Sequence, residues 1–287
     1  MFRIGYNTNG LAHHRPVDAL RMLADLGYEG VAITPDVGPL DPFDRSTRVV
    51  SDVRTWAEDL GLELTIETGA RFLLDARQKH FPSLLEEEAP SRRRRIDFLM
   101  RCIDLAAELD AKVVSIWAGV APGGVVGDTE DGHDAVWDRL ADGVALLLGE
   151  ARQKGVQLAF EPEPGMFIER PIGFGKLLER LDGDGDELGL CLDVGHLLVT
   201  GDLPVGDQIR QWGPRLMNVH LDDIAEGVHE HRMFGTGDLD LKEALNALIE
   251  VGYDGMAAVE LSRDSHRGPE AAREALQHIT AALGLKS

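Results

Sequence analysis

Cysteine is nearly absent from this 287-residue chain, which has only Cys102 and Cys191. Cys102 falls in an apolar helical pattern and Cys191 in an apolar strand-like run, so two reduced, buried thiols are expected rather than a disulfide framework. Long apolar runs are missing as well: no segment reaches the roughly 18 apolar residues of a membrane span. The first ten residues, MFRIGYNTNG, lack a basic stretch followed by a long apolar core. The expectation is a cytoplasmic protein with no membrane partner. Positive charge is scarce, with 29 Lys and Arg against 50 Asp and Glu and a net charge of −21. Nucleic-acid binding usually demands a basic face to neutralise phosphates, so this balance argues against DNA or RNA as a partner. No linker or low-complexity segment interrupts the chain, and residues 1–287 read as one domain.

What the chain does have is alternation. Hydrophobic residues make up 44% of it, enough for a sizeable core. Short apolar runs predict strands at about 3–7, 30–34, 62–67, 112–117, 156–161, 188–193, 216–221 and 256–261. Amphipathic stretches lie between them, as at 16–26, 92–109, 133–154 and 241–251. Eight strands each followed by a helix is the count that closes a barrel, so the expected fold class is α/β, a single (β/α)8 TIM barrel. Pro16 and Pro269 stand where proline opens a helix without losing a hydrogen bond. An internal echo supports the register: Leu26-Gly27-Tyr28-Glu29-Gly30 precedes the second strand and Val251-Gly252-Tyr253-Asp254-Gly255 the eighth. In each, glycine can end the helix in a left-handed conformation while tyrosine packs beneath the barrel. Segments 68–91 and 118–133 exceed the usual loop length and fall on the C-terminal face, where long loops build or cover a pocket. The run Arg92-Arg93-Arg94-Arg95 reads as a solvated helix face pairing with Glu86, Glu87 and Glu88; phosphate binding is the alternative.

The ends of the strands carry the chemistry. The third closes in Glu67, the fifth in Glu161, the sixth in Asp193, the seventh in His220 and the eighth in Glu260. A charged group closing an apolar strand is costly unless it meets solvent or a partner. Four in succession, on strands whose C-terminal ends surround one mouth, can converge on one point. Three carboxylates and an imidazole are ligands for Mn2+, Mg2+, Co2+ or Zn2+, and without a cation their mutual repulsion would force protonation. One divalent ion held by Glu161, Asp193, His220 and Glu260 is therefore expected. His196 lies three residues after Asp193, placed to touch substrate or a second metal, and His229 and His231 lie in the loop after the seventh strand. Those two share a side if that loop is extended. Glu163 offers a secondary acid, and Trp117 on the fourth strand can floor a pocket against a sugar's apolar face.

The same residues resemble the xylose-isomerase-like barrel superfamily. The resemblance rests on Phe160-Glu161-Pro162, Leu192-Asp193-Val194-Gly195-His196, Val219-His220-Leu221-Asp222-Asp223, Gly235-Thr236-Gly237-Asp238 and Val259-Glu260. It spans almost the whole chain and is strongest from about 156 to 262. The superfamily includes sugar phosphate isomerases and epimerases, ketose 3-epimerases of the D-tagatose type, inosose dehydratases and endonuclease IV. Similarity to the epimerase branch implies that Glu161, Asp193, His220 and Glu260 hold the metal, with Glu161 and Glu260 doubling as the catalytic acid/base pair. It implies a substrate-contacting role for His196; His231, Arg232, Glu67 and Trp117 complete the expected substrate-binding set. Similarity to the endonuclease branch implies further metal ligands at His196 and His231. That branch also needs histidines after strands three and four, where this chain has Glu67-Thr68-Gly69 and Trp117-Ala118-Gly119. The epimerase branch carries an arginine soon after its strand-seven histidine; here Arg232 comes later.

The expected reaction is metal-assisted proton transfer on a sugar, sugar phosphate or polyol ketone through a stabilised enediolate, an isomerisation or epimerisation. Loss of water from the same site would make an inosose-type dehydratase. A metal-dependent phosphodiesterase and a non-catalytic sugar- or protein-binding barrel are the readings from other classes. The expected partner is a small sugar or polyol, and a homodimer is compatible with the barrel.

Overall fold

Proline opens and glycine closes many of the helices here, and the strands between them follow one another in chain order. The computed structural model describes residues 2–35, 40–128 and 132–285, so the long segment at 118–133 lies partly outside the described residues. The strands are β1 (Arg3–Asn7), β2 (Gly30–Ile33), β3 (Glu63–Glu67), β4 (Val113–Ile116), β5 (Gln157–Phe160), β6 (Leu188–Asp193), β7 (Leu216–Leu221) and β8 (Met256–Val259). They close a barrel in the order β1 to β8, the expected (β/α)8 fold. The α-helices are α1 (Pro16–Leu26), α2 (Thr47–Leu60), α3 (Ala89–Leu109), α4 (Asp134–Lys154), α5 (Pro171–Leu181), α6 (Val194–Thr200), α7 (Val205–Trp212), α8 (Leu241–Glu250) and α9 (Gly268–Ala282). Nine among the described residues, rather than eight, reflects the β6–β7 connection: Gly201 ends α6 at φ 73°, and Pro204 precedes α7. No described helix is long and apolar enough to cross a membrane, and Cys102 and Cys191 are both buried and not joined in a disulfide.

The chain divides into two compact units. One comprises Met1–Ile33, Thr55–Leu64 and Cys191–Ser287; the other comprises Thr34–Arg54 and Thr65–Leu190. In the first, β1 pairs in parallel with β2 through Gly5 and Gly30, and with β8 through Ile4 and Ala257. There β7 pairs with β8, His220 opposite Ala258. In the second, β4 pairs with β3 and β5, and Phe160 of β5 stands opposite Leu190 of β6. The echoed turns behave as expected. Gly27 and Gly252 hold φ 103° and 70°, and the hydroxyls of Tyr28 and Tyr253 donate to the carbonyls of Ala272 and Met256, each at 2.7 Å.

The arginine run departs from expectation. Pro90 in the first turn lets α3 begin at Ala89, one turn early, and Arg95 shares the buried helix face of Phe98, Leu99 and Cys102. Arg95 is 1% exposed, with Nε and Nη2 donating to the carbonyls of Pro82 and His80 at 2.8 and 2.6 Å. Its guanidinium lies 4.6 Å over the Trp117 ring. Burial pulls its pKa down to about 10, which leaves it charged at neutral pH and held by carbonyl dipoles and π-faces. Arg92 likewise donates to the carbonyls of Glu86 and Glu87, not to their carboxylates.

Inside the first unit, Met256 fills the space that Gly5 and Gly30 leave. A Cβ at either glycine would meet the methionine side chain at 2.5 Å. Gly5→Ala should therefore cost about 1–3 kcal/mol through overpacking. In a Met256→Ala background that penalty should vanish, so the double-mutant cycle, read by urea denaturation, should show a coupling of similar size. Additive effects would mean that the methionine does not set the spacing.

Candidate functional site

Asp193 ends β6 and begins α6, and its carboxylate is divided between two tasks. Oδ1 caps the helix, accepting from the N–H groups of Gly195 at 2.7 Å and His196 at 3.0 Å. Oδ2 is buried and receives no hydrogen bond. It lies 3.9 Å from Nδ1 of His220, which ends 3.1 Å from Oε2 of Glu260. The other oxygen of Glu260 accepts from the Asn9 side-chain amide at 2.7 Å, a pair 251 residues apart that β1–β8 pairing brings together. His220 Nε2 sits 3.3 Å from the Asn218 amide group. The group facing Nε2 is the amide nitrogen, an N–H donor, so Nδ1 carries the ring hydrogen toward the Glu260 carboxylate.

A second set adjoins the first. Asp222 follows β7, fully buried, and neither of its oxygens makes a hydrogen bond. His231 Nδ1 stands 2.7 Å from Asp222 Oδ2, yet the contact lacks hydrogen-bond direction. Both atoms instead face a common space, and one ligand atom each from Asp193, Asp222 and His231 lie within 4.8 Å of one another. His196, His229 and His231 form a further close trio, with Nε2 of His229 at 3.1 Å from Nε2 of His196. Gly195 makes this packing possible, because a Cβ there would collide with the Asp222 carboxylate.

The electrostatics express the crowding. Burial, then the neighbouring Asp222 charge, pushes the Asp193 carboxyl well above its ordinary range. Burial opposes the charge on His231, but Asp222, Glu260 and Asp193 more than offset it and raise its pKa well above normal. Burial likewise acts against ionised Glu260, and His220 and His231 overcome it, so the carboxyl is held below its usual range. Orphaned buried oxygens, repelling carboxylates and an imidazole, which would release its Nδ1 proton on binding, are a donor set that a divalent cation fits.

Glu161, Glu67 and Trp117 belong to the other unit. Glu161 follows β5 directly, 6% exposed, its N–H donating to the Ile116 carbonyl at 2.7 Å. Glu67 ends β3, also buried, with the Ser115 hydroxyl 3.5 Å away. Trp117 is 8% exposed; Arg95 covers its ring and the His80 edge approaches at 5.1 Å, so the long segment after β3 packs on it. Glu163 donates its N–H to the Ile168 carbonyl. Arg232 pairs with Glu230 at 2.8 Å and forms a bridge with Asp223. Sequence reasoning passed over Asp222 and Asn9. Alternation from His220 was the available signal for Asp222; nothing local marks Asn9.

Asp223 organises the loop that carries the histidines. Its carboxylate accepts from the N–H groups of Ile224, Gly235, Gly237 and Leu239 at 2.8–2.9 Å. Asp223→Ala should destabilise the fold by about 2–4 kcal/mol, with the amides of 235–239 losing protection from hydrogen exchange. Unchanged protection there would mean the carboxylate is dispensable. His80 gives a pH signature. Burial, then the Lys79 charge, lowers its pKa to about 4. Its contribution is complete above about pH 6.5 and is lost as pH falls toward 4, since the unfolded chain binds the proton more readily. His80→Gln should flatten the stability curve between those values, by order 1–3 kcal/mol; parallel curves would refute the assignment.

The chain is similar to known proteins. An inosose dehydratase of Lacticaseibacillus casei is 27% identical over 171 residues, 53% of this chain and 56% of that enzyme; the match thus spans about half the length of that curated relative. An L-ribulose 3-epimerase structure superposes with a TM-score of 0.76 at 21% identity, covering 99% of this chain and 95% of its own. The IOLI protein structure, which contains a zinc atom, gives 0.75 at 17% identity, covering 99% and 98%. At such identities the structural likenesses establish the fold alone. Residues 20–282 match the model of the xylose isomerase-like TIM barrels, and the chain belongs to that family.

Proposed function

We propose that this protein is a divalent-metal-dependent isomerase or epimerase of a sugar, sugar phosphate or polyol ketone, acting by proton transfer beside the carbonyl. The observation that carries the reading is the buried meeting of Asp193, His220 and Glu260, with one Asp193 oxygen left without a hydrogen bond. Glu161 is assigned as the fourth ligand from strand order. A bound Mn, Mg, Co or Zn ion would supply a Lewis acid for the substrate's carbonyl and adjacent hydroxyl oxygens.

The protein's own groups do the rest. Glu260, steadied by Asn9 and kept ionised by His220, is suited to remove a proton. Glu161 returns one from the other face, inverting the carbon, or at the neighbouring carbon, exchanging ketone and hydroxyl. The cationic His231 can donate to a substrate oxygen as charge develops. His196, Arg232, Glu67 and Trp117 are assigned to substrate contact. A second reading, dehydration, is favoured by the inosose dehydratase likeness. In it the same C–H is broken, but a hydroxyl on the adjacent carbon leaves as water and a carbon–carbon double bond forms.

Elemental analysis of protein purified without chelator tests the metal, and NMR of ketoses and inososes incubated in D2O tests the chemistry. About one ion per chain is expected, weakened in Glu260→Gln, with metal removal lowering Tm. Deuterium should enter the carbon beside the carbonyl. An alkene or its keto form would select dehydration. Two or three ions per chain would select hydrolysis through the histidine trio, and no tight ion with an unaltered variant would refute the reading.

A further inference from the structure

The charged run ahead of and inside α3 takes no part in the site above. Where α3 packs beside α4, a groove of about 740 Å3 runs along them. Ile96 and Met100 of α3 and Leu146 of α4 line it with apolar surface, and Leu146 is 55% exposed. Four arginines rim it: Arg92, Arg93, Arg94 and Arg139. Two have partners, since Arg92 is spent on backbone carbonyls and Arg139 Nε donates to the Leu85 carbonyl at 2.9 Å. Asp97, facing the same groove, is paired with Arg101 at 3.2 Å. By contrast Glu87, Glu88, Arg93 and Arg94 are exposed, and among the described residues none of the four has an ion-pair partner.

We propose that this face is a two-fold interface, occupied by a second copy of the same chain. The two unmet charge blocks are the reason. Along the chain, Glu87 and Glu88 precede Pro90 and Ser91 by as many residues as Arg93 and Arg94 follow them. A two-fold axis through that midpoint sets the acids of one copy against the arginines of its partner, and the reverse contact follows by symmetry. The residues at the midpoint suit a close approach: Ala89 and Pro90 are exposed, small and uncharged. Reciprocal pairing also closes the apolar floor formed by Met100 and Leu146, which an isolated anion would leave wet. An unrelated acidic partner would meet repulsion from Glu87 and Glu88 before reaching the arginines.

Sedimentation velocity of the full chain at micromolar concentrations, with two charge-reversed variants, tests the interface. The wild type should be a dimer. Arg93→Glu/Arg94→Glu should weaken the dimer by about tenfold or more, as should Glu87→Arg/Glu88→Arg, because each variant sets like charges together. Mixing the two should restore a 1:1 dimer, since one face is then wholly acidic and the other wholly basic. Leu146→Glu on α4, which leaves those four residues intact, should also give monomers. Thermal unfolding of each variant near the wild-type Tm separates loss of contact from loss of fold. A monomeric wild type, a dimer that survives both reversals, or a mixture that stays monomeric would overturn the proposal.

Discussion

Repulsion between buried carboxylates is the constraint around which the rest of this site is arranged. Asp193, Asp222 and Glu260 are brought into one region of low polarity, where each unpaired negative charge is expensive. Every neighbouring polar feature reduces that cost in its own way. Asn9 donates to one oxygen of Glu260, the first turn of α6 takes one oxygen of Asp193, and His220 and His231 supply positive charge. What these devices leave over is a small set of oxygens beside one imidazole, which is the composition a hard cation selects.

Two adjacent aspartates show how the same residue type is put to opposite uses. Asp223 has its carboxylate filled by four backbone N–H donors and serves as a structural knot for the loop after β7. Asp222, one residue earlier and on the opposite side of the chain, has none. The alternation of an extended segment is enough to send one side chain to the loop and the other to the site. A peptide-saturated carboxylate is chemically quiet; an unsaturated one is available for binding.

Much of this was legible from residue order. The short apolar runs located all eight strands, because burial on both faces leaves β6 and β8 almost wholly apolar up to their terminal acids. The ligand candidates were visible for the same reason: Asp193 and Glu260 interrupt sequences in which nothing else is charged. The glycine–tyrosine turns were readable because the left-handed end and the buried hydroxyl are both local requirements. Long-range partners were not readable. Asn9 matters only because β1 closes against β8, which has no local sign. Arginines in a row look solvated until the helix phase is counted, and Arg95 stands three, four and seven residues before the buried Phe98, Leu99 and Cys102.

The helix cap on Asp193 has a mechanical meaning. A carboxylate whose first oxygen is fastened to two amides cannot turn about its side-chain bond, so the second oxygen is presented at a fixed height and angle. Whatever pulls on that oxygen also pulls on the opening turn of α6, and Gly195 in that turn lies flush against Asp222. The carboxylate and the opening turn of α6 thereby form one rigid piece. Lengthening the side chain by a single methylene would preserve the charge and break the linkage, because rigidity here resides in geometry and not in electrostatics.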